Sequence, residues 1–493
     1  MREYFLLALA GSLSVASYAP LEYWWLMPLC LMVIYFYWSK ETSPLQAFKQ
    51  GFVFAFFQFL VGVSWVYVSL HTFGNMPPVM AGIAVILFVL IWAVLHGLVG
   101  YVFALLSSKS HKWFQVILFA SLWVIADWSR TFIVGGFPWL DVGYSQTTRF
   151  LSSYAPIGGV YLVSFALLLI SAFFMQLLMN LRRSKQGVVI PALSIVCISA
   201  SAIALKPVQW TEPTGEAISV ALVQADIPIE SKWEQSFRDE LLTRYYELLP
   251  KSPTDLVVFA ETALPFYLHN TTDEFWESLS ANAGSLIAGV IESDPITGKL
   301  YNSAVMTCGA ERQVYRKHHL VPFGEYLPLR RFLSWLLDYL QIPMSDFSSW
   351  KQPQSLDCGG LKVALSICYE DAFSGEIRSN LNDGEVLVNI SEDAWFGDSL
   401  APHQRRQMAQ MRAQELSRPM VRSSNSGPSN LIDENGSIIV ASEQFSQQTV
   451  AGEIMPRAGK TPFLSFGLWV IHLSGLIVFC AVVNRVIARK QRG

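Results

Sequence analysis

The sequence predicts a polytopic α-helical membrane protein of about eight spans with an inserted α/β sandwich domain. Three observations predict it. Of 493 residues, 52% are hydrophobic and 15% charged, against about 25% charged in an average soluble chain, so long stretches never meet water. Eight apolar runs approach the roughly 20 residues that cross a hydrocarbon core. Residues 206–462, between the seventh and eighth runs, instead alternate short β-rich segments with helical ones. This composition also excludes disorder and collagen. The balance of 35 Lys+Arg against 38 Asp+Glu supplies no basic field for nucleic acid.

The domain reading follows: residues 1–205 as a membrane domain with seven transmembrane helices, 206–462 as a soluble domain, and 463–493 as a last span with a short basic tail. The runs cover 4–19, 21–38, 51–71, 79–106, 114–134, 157–180, 188–205 and 463–487. The first has a rival reading. Arg2, a short apolar core and Ser14-Val15-Ala16-Ser17 also fit a cleavable signal peptide. A second apolar run begins almost at once after Pro20, so residues 4–38 are read as a tight helical hairpin.

Orientation follows from Lys and Arg. With the N-terminus inside, the inner side receives Arg2, Lys40, Lys49, Lys109, Lys112, Arg182, Arg183, Lys185, Arg485, Arg489, Lys490 and Arg492, while the short outer loops keep Arg130 and Arg149. Both termini are then cytoplasmic and residues 206–462 lie outside. Asp127 and Arg130 share a helix face, three residues apart. They read either as a polar lining for a headgroup or, more commonly, as a self-paired charge. His96 and His472 each sit alone in a span, where a backbone carbonyl is the ordinary partner. Gly97, Gly100, Gly158 and Gly159 allow close helix approach.

In the soluble stretch, strands are expected at 218–223, 256–259, 285–291, 302–307, 361–368, 385–391, 419–424 and 437–441. Helices are expected at 231–249, 271–282 and 401–417. Nearly continuous apolar strands point to sheets covered on both faces. Six cysteines are too few for a disulfide framework. Cys30, Cys197 and Cys480 lie in apolar runs; Cys308, Cys358 and Cys368 do not, and their odd number leaves at least one free within a single chain. Whether Cys308 pairs with Cys358 is left open.

Three residues stand where strands end: Glu261 after Leu256-Val257-Val258-Phe259-Ala260, Lys317 after Gln313-Val314-Tyr315-Arg316, and Cys368 after Leu361–Ile367. Strand ends present side chains to clefts in α/β folds. A thiol with a pKa of about 8.5 is mostly protonated at neutral pH, so a nucleophilic Cys gains from a base and a cation. Glu261 suits the base, and Lys317 the cation for the thiolate and then an oxyanion. Glu325 and Glu370 suit the task of holding the lysine. From composition alone a Cys ending an apolar strand is more often a buried structural residue, a Glu after a strand a solvated turn, and a Lys beside His318 and His319 a surface group. Those histidines are consecutive and lack partners at ligand spacing, which argues against metal.

Three strings change that balance: Phe259-Ala260-Glu261-Thr262-Ala263-Leu264-Pro265; Tyr315-Arg316-Lys317-His318-His319-Leu320-Val321-Pro322-Phe323-Gly324-Glu325-Tyr326-Leu327-Pro328; and Ser366-Ile367-Cys368-Tyr369-Glu370. They resemble the Glu-Lys-Cys signature of the carbon-nitrogen hydrolase (nitrilase) superfamily. With Asn389-Ile390-Ser391-Glu392-Asp393-Ala394-Trp395-Phe396-Gly397 and the order of spans, the chain is similar more narrowly to the apolipoprotein N-acyltransferase family. One departure is visible, Glu392 where the family leads one to expect Asn, and it is expected to touch none of the three catalytic residues.

The resemblance implies a nitrilase-like αββα sandwich at 206–462, facing the periplasm from a bacterial inner membrane. It implies Glu261 as general base, Lys317 as oxyanion stabiliser and Cys368 as nucleophile, supported by Glu325 and Glu370, with Tyr369 and Trp233 lining the cleft. The implied reaction is acyl transfer from a phospholipid, with phosphatidylethanolamine the expected donor, to the N-terminal S-diacylglyceryl-cysteine of an apolipoprotein through a Cys368 thioester. No cofactor and no metal are expected, and the chain is expected to act as a monomer. The nearest rival is a membrane-anchored nitrilase-type amidase; a transporter with a gating domain is another. Residues Phe332–Leu340 read as an arm dipping towards lipid or covering the cleft, or equally as a core helix, with Phe347 and Trp350 extending the apolar character.

Overall fold

The structure is a computed structural model, and it describes residues 1–40, 42–107, 110–181, 186–327, 346–352 and 354–490. The apolar segment Phe332–Leu340 lies outside the described residues, as do Lys109, Arg182, Arg183, Lys185 and Arg492. The chain divides into two compact units. One comprises Met1–Tyr67, Pro77–Val208 and Ser465–Gly493; the other joins Val68–Met76 to Gln209–Leu464. The expected span 51–71 overlaps this segment at 68–71, which the structure assigns to the α/β unit.

Among the described residues, four helices are long and apolar enough to cross a membrane: Pro78–Ser107, Phe150–Asn180, Gly187–Leu205 and Trp469–Ala488. A fifth is added if Pro44–Gly62 and Trp65–Phe73 form one bent span. The first two expected runs instead yield helices Arg2–Ser14 and Leu26–Trp38, of 13 residues each. At 1.5 Å per residue each is about 20 Å long, short of a core about 30 Å thick. The expected span at 114–134 becomes Lys112–Ser129, whose apolar content is diluted by Lys112, Gln115 and Asp127.

The Arg130 guanidinium is buried between Asp127 at 2.7 Å, the Asp141 carboxylate and the Trp139 carbonyl. This cluster matches the self-paired alternative, extended by Asp141, rather than an exposed lining. His96 Nδ1 faces the Trp92 carbonyl at 3.0 Å. Gly100 permits close packing, since a Cβ there would sit 2.4 Å from the Ala47 carbonyl oxygen. Gly159 has a different reason: its φ of +67° breaks helix Ala155–Asn180.

The second unit holds strands β1 (Glu212–Pro213), β2 (Ile218–Gln224), β3 (Thr254–Val258), β4 (Leu264–Tyr267), β5 (Ala283–Ser293), β6 (Leu300–Cys308) and β7 (Glu311–Arg316). They are followed by β8 (Leu356–Cys358), β9 (Leu361–Ile367), β10 (Val386–Ser391), β11 (Met420–Ser424), β12 (Asn430–Ile432), β13 (Ile438–Ala441), β14 (Gln448–Ile454) and β15 (Arg457–Ala458). One sheet runs β14-β2-β3-β5-β6-β7, with β4 also on β5; the other runs β13-β12-β11-β10-β9-β8. Their centres are parallel, with Ala221 opposite Val257 between β2 and β3, and Leu365 opposite Val388 between β9 and β10.

Strand alternation explains the layering. Val220, Leu222, Leu256 and Val258 of one sheet meet Val363, Leu365, Ile367, Val388 and Ile390 of the other in a buried inner core. Ala221, Val223 and Val257 point the opposite way, onto Leu241 and Tyr245 of helix Arg238–Leu248 and Trp276 of helix Asp273–Leu279. On the other outer face, Ala364 and Leu387 meet Ile377 of helix Ser374–Asn380 and Ala409 and Ala413 of helix Leu400–Leu416. The result is an αββα sandwich. The expected helix 231–249 is divided, with Ile229–Lys232 and a 3-10 turn at Gln235–Phe237 preceding Arg238–Leu248.

Candidate active site

Glu261, Lys317 and Cys368 follow β3, β7 and β9, so two come from one sheet and the third from the facing sheet. All three are buried. Glu261 sits in a tight turn over β5, where a Cβ on Gly289 would lie 2.3 Å from Thr262 N. Lys317 N donates to the Asn302 carbonyl at 2.8 Å, which prolongs the β6–β7 pairing by one residue. Cys368 opens a 3-10 turn with φ of +53°, a costly conformation for a residue with a Cβ, held here by surrounding contacts. Its carbonyl accepts from Asn389 Nδ2 at 3.2 Å.

Lys317 Nζ lies 3.1 Å from Glu261 Oε1 and 2.9 Å from Glu325 Oε1. Asn302 Nδ2 donates to both of those oxygens at 2.7 Å. Glu261 Oε2 accepts the Glu392 backbone N–H at 2.9 Å. Burial opposes the charge on Glu261, but Lys317, Asn302 and the Cys368 thiol together hold its carboxyl below the usual range. Burial likewise opposes the Lys317 ammonium, and Glu261 and Glu325 outweigh it, raising the lysine. The Cys368 thiol is pushed up to about 12, by burial first and by the Glu261 charge second, against Arg405 and Lys317. The site thus sets the Cys368 thiol beside a lysine shared between the Glu261 and Glu325 carboxyl groups.

Glu325 lies beside Lys317, and Val321 N donates to its other oxygen at 2.8 Å. Glu370 favours the charged lysine only through its own charge. It makes no hydrogen bond to Lys317; its carboxylate accepts from the backbone N–H of His318 at 2.6 Å, His319 at 3.0 Å and Ile367 at 2.6 Å, and from the Tyr315 hydroxyl at 3.0 Å. It therefore ties the turn after Lys317 to the approach to Cys368. Burial raises the Glu370 carboxyl despite these donors.

Tyr369 is buried with its ring edge-on to Phe373, 5.1 Å between centroids, and His319 stacks on Phe373 at 3.7 Å. Trp233 is 52% exposed. The Trp350 ring lies under the Arg316 guanidinium at 4.2 Å. Cys308 and Cys358 form a disulfide with Cα atoms 5.3 Å apart, which joins β6 of one sheet to β8 of the other. Among the described residues, no three His, Cys, Asp or Glu side chains converge as a metal site.

Several contacts escaped the sequence reading. The expectation that residue 392 touches none of the central three is corrected by its N–H on Glu261. Its side chain also pairs with Lys232 Nζ at 2.6 Å, and that ammonium donates to the Glu261 carbonyl at 3.2 Å. The presence of Asn302 and Arg405 carried no signal in the sequence. Segment Val68–Met76 reaches the loop after β10, where Ser69 Oγ donates to the Trp395 carbonyl at 2.9 Å and Phe73 meets the Trp395 ring edge-on.

Comparison with known proteins adds family information. Residues 10–173 match the model of the apolipoprotein N-acyltransferase N-terminal domain, and residues 219–462 match carbon-nitrogen hydrolase. A protein of Nitrosomonas europaea named apolipoprotein N-acyltransferase is 34% identical over 100% of both chains. One of the same name from Methylococcus capsulatus is 35% identical over 99% of this chain and 98% of its own. A third, from Pseudomonas syringae pv. tomato, is 35% identical over 96% and 95%.

Proposed function

The chain belongs to the apolipoprotein N-acyltransferase family, and on that premise we propose that it N-acylates the N-terminal S-diacylglyceryl-cysteine of apolipoproteins through a thioester on Cys368. The observation that supports the mechanism is Lys317 Nζ at 3.1 Å from Glu261 Oε1, with the Glu261 charge acting on the buried Cys368 thiol at the end of the facing sheet's β9.

In the first step the Cys368 proton passes to Glu261 and the thiolate attacks the sn-1 ester carbonyl of a phospholipid, phosphatidylethanolamine in this reading. Lys317 and backbone N–H groups after Cys368 hold the oxyanion. The ester C–O bond breaks, Glu261 returns the proton to the leaving oxygen, and a lysophospholipid departs. In the second step the lipoprotein α-amine attacks the thioester, its proton goes to Glu261, the C–S bond breaks and the thiolate is reprotonated. The product is an amide. Thioester aminolysis runs downhill, so neither nucleotide nor metal is required.

Both substrates carry acyl chains that cost about 0.8 kcal/mol per CH2 to expose to water, which favours an enzyme fixed beside the bilayer. We place it as a monomer in the bacterial inner membrane, with about eight membrane segments, both termini cytoplasmic and the αββα domain periplasmic. The asymmetry of Lys and Arg around the apolar runs supports this orientation.

The test is to incubate the detergent-purified protein with phosphatidylethanolamine, look by mass spectrometry for an acyl adduct on Cys368, and then add buffer or a diacylglyceryl-cysteine peptide. Adduct consumption that needs the peptide and gives an N-acylated product is the expected result. Rapid loss in buffer would identify a hydrolase, and absence of an adduct would overturn both enzymatic readings.

A further inference from the structure

Cys368 Sγ has a second cation beside it. Arg405, on helix Leu400–Leu416, is buried and directs Nη1 at the sulfur from 3.5 Å. The same guanidinium is gripped from its other edges: Nη2 donates to both Asp371 oxygens at 3.1 Å and to Ser391 Oγ at 3.0 Å, and Nη1 also bonds the Asp393 carboxylate. Asp393 is itself held by Arg422 and by Ser424 Oγ at 3.0 Å, and Arg422 Nε stands 3.8 Å from Asp371. Two arginines and two carboxylates thus close a charge-balanced cage that fixes Arg405 in one orientation, facing the thiol.

Lys317 is poorly placed to do the same work alone. Its ammonium is shared between Glu261 and Glu325, and the acyl oxyanion also needs it. A thiolate at Cys368 forms in a dry site next to a carboxylate, where an unpaired anion is costly. A fixed N–H donor on a charged group is the arrangement that lowers that cost without reorganisation.

We propose that Arg405 is a further catalytic residue, whose Nη1–H holds the Cys368 thiolate while Lys317 serves the oxyanion. No bond to Arg405 forms or breaks; the thiol proton goes to Glu261 and the sulfur electron pair is stabilised by the guanidinium. The partner is needed twice, once when the thiolate attacks and again when it leaves the thioester. The proposal rests on Cys368 being the nucleophile, and it is tested without any lipid.

Cys368 is alkylated with iodoacetamide at a fixed pH of about 8 in the full-length detergent-purified protein, and the rate at that peptide is read by mass spectrometry. The variants are Arg405→Lys and the charge-balanced pair Arg405→Gln with Asp371→Asn. Loss of one pKa unit of thiolate stabilisation is about a tenfold change, so alkylation is expected to slow about tenfold in the pair and by a smaller factor in Arg405→Lys, whose ammonium cannot span Asp371, Asp393 and sulfur together. Arg405→Lys keeps the charge the cage requires and decides the matter if the pair does not fold. A wild-type alkylation rate in either variant that retains a cooperative melt overturns the proposal, because a purely structural arginine changes the melt and not the thiol. If alkylation slows but no variant or wild-type protein forms an acyl adduct from phospholipid, the thiolate role stands and the lipid reading fails.

Discussion

Lys232 Nζ sits 2.6 Å from Glu392 Oε2, and both residues are buried beside Glu261. Burial raises the Glu392 carboxyl while Lys232 pulls it back, so the pair is stable only as a pair. Removing one partner leaves an uncompensated charge. Lys232→Met is expected to cost about 3–5 kcal/mol of stability, and Lys232→Met with Glu392→Gln to recover most of it. Denaturant unfolding of the single and double variants measures both; additive losses would show that the two charges are independent.

The sequence marked residue 392 as unusual but could not show why it matters, because its partner lies 160 positions away. The same limit explains Arg405. Helix Leu400–Leu416 buries Arg405, Arg412, Gln404, Gln407, Gln410 and Gln414, so a pattern that reads as a solvated helix is in fact enclosed by strands far along the chain. Apolar strands such as β2, β3 and β10 were legible because both their faces are covered. β4 and β14 were not. The first contains Pro265, and the second alternates exposed Ala451 with buried Val450 at a sheet edge. Glu261, Lys317 and Cys368 could be singled out at strand ends, but their convergence depends on two sheets packing face to face.

Asn302 is the residue whose loss is most informative about Glu261. Its Nδ2 bridges the Glu261 and Glu325 carboxylates at 2.7 Å each, on either side of the Lys317 ammonium. Asn302→Ala takes a donor from both. The Oε1 atom of each carboxylate then keeps Lys317 as its partner while Glu392 N and Val321 N stay on the Oε2 atoms, and acylation of Cys368 is expected to slow about tenfold or more, since a hydrogen bond to a charged group is worth about 1.5–3 kcal/mol. Single-turnover adduct formation checks it, and an unchanged rate would make Asn302 a spectator.

Acid should act through Glu261. Its carboxyl lies below the ordinary 4.5 because Lys317, Asn302 and the thiol outweigh burial. A lowered folded pKa gives stability that is fully present above the unfolded value and is lost as pH falls through the folded one. Acylation by the wild-type protein is therefore expected to hold from about pH 7 to about pH 5 on the Glu261 side and to decline only below its ordinary value. Glu261→Ala is expected to form no adduct at any pH, and an unaltered rate would remove Glu261 from the role of base. Parallel melts should show the wild-type advantage over Glu261→Gln shrinking in acid.

The disulfide offers a test of what holds Lys317 in place. Cys308 and Cys358 close a loop with a sequence separation of 50, and that loop contains Lys317 and Glu325. In the chain-entropy account, a cross-link over this length stabilises the fold by about 4 kcal/mol, by restricting the unfolded chain. It also joins the end of β6 to β8 in the opposite sheet, so the loop's two ends are held together. Cys308→Ser with Cys358→Ser is expected to lower the unfolding free energy by about 2–4 kcal/mol. The folded fraction should keep its Cys368 alkylation rate, because neither sulfur of the bridge touches Glu261, Lys317 or Cys368. A loss of thiol reactivity without a loss of stability would mean instead that the bridge sets the position of Lys317 directly.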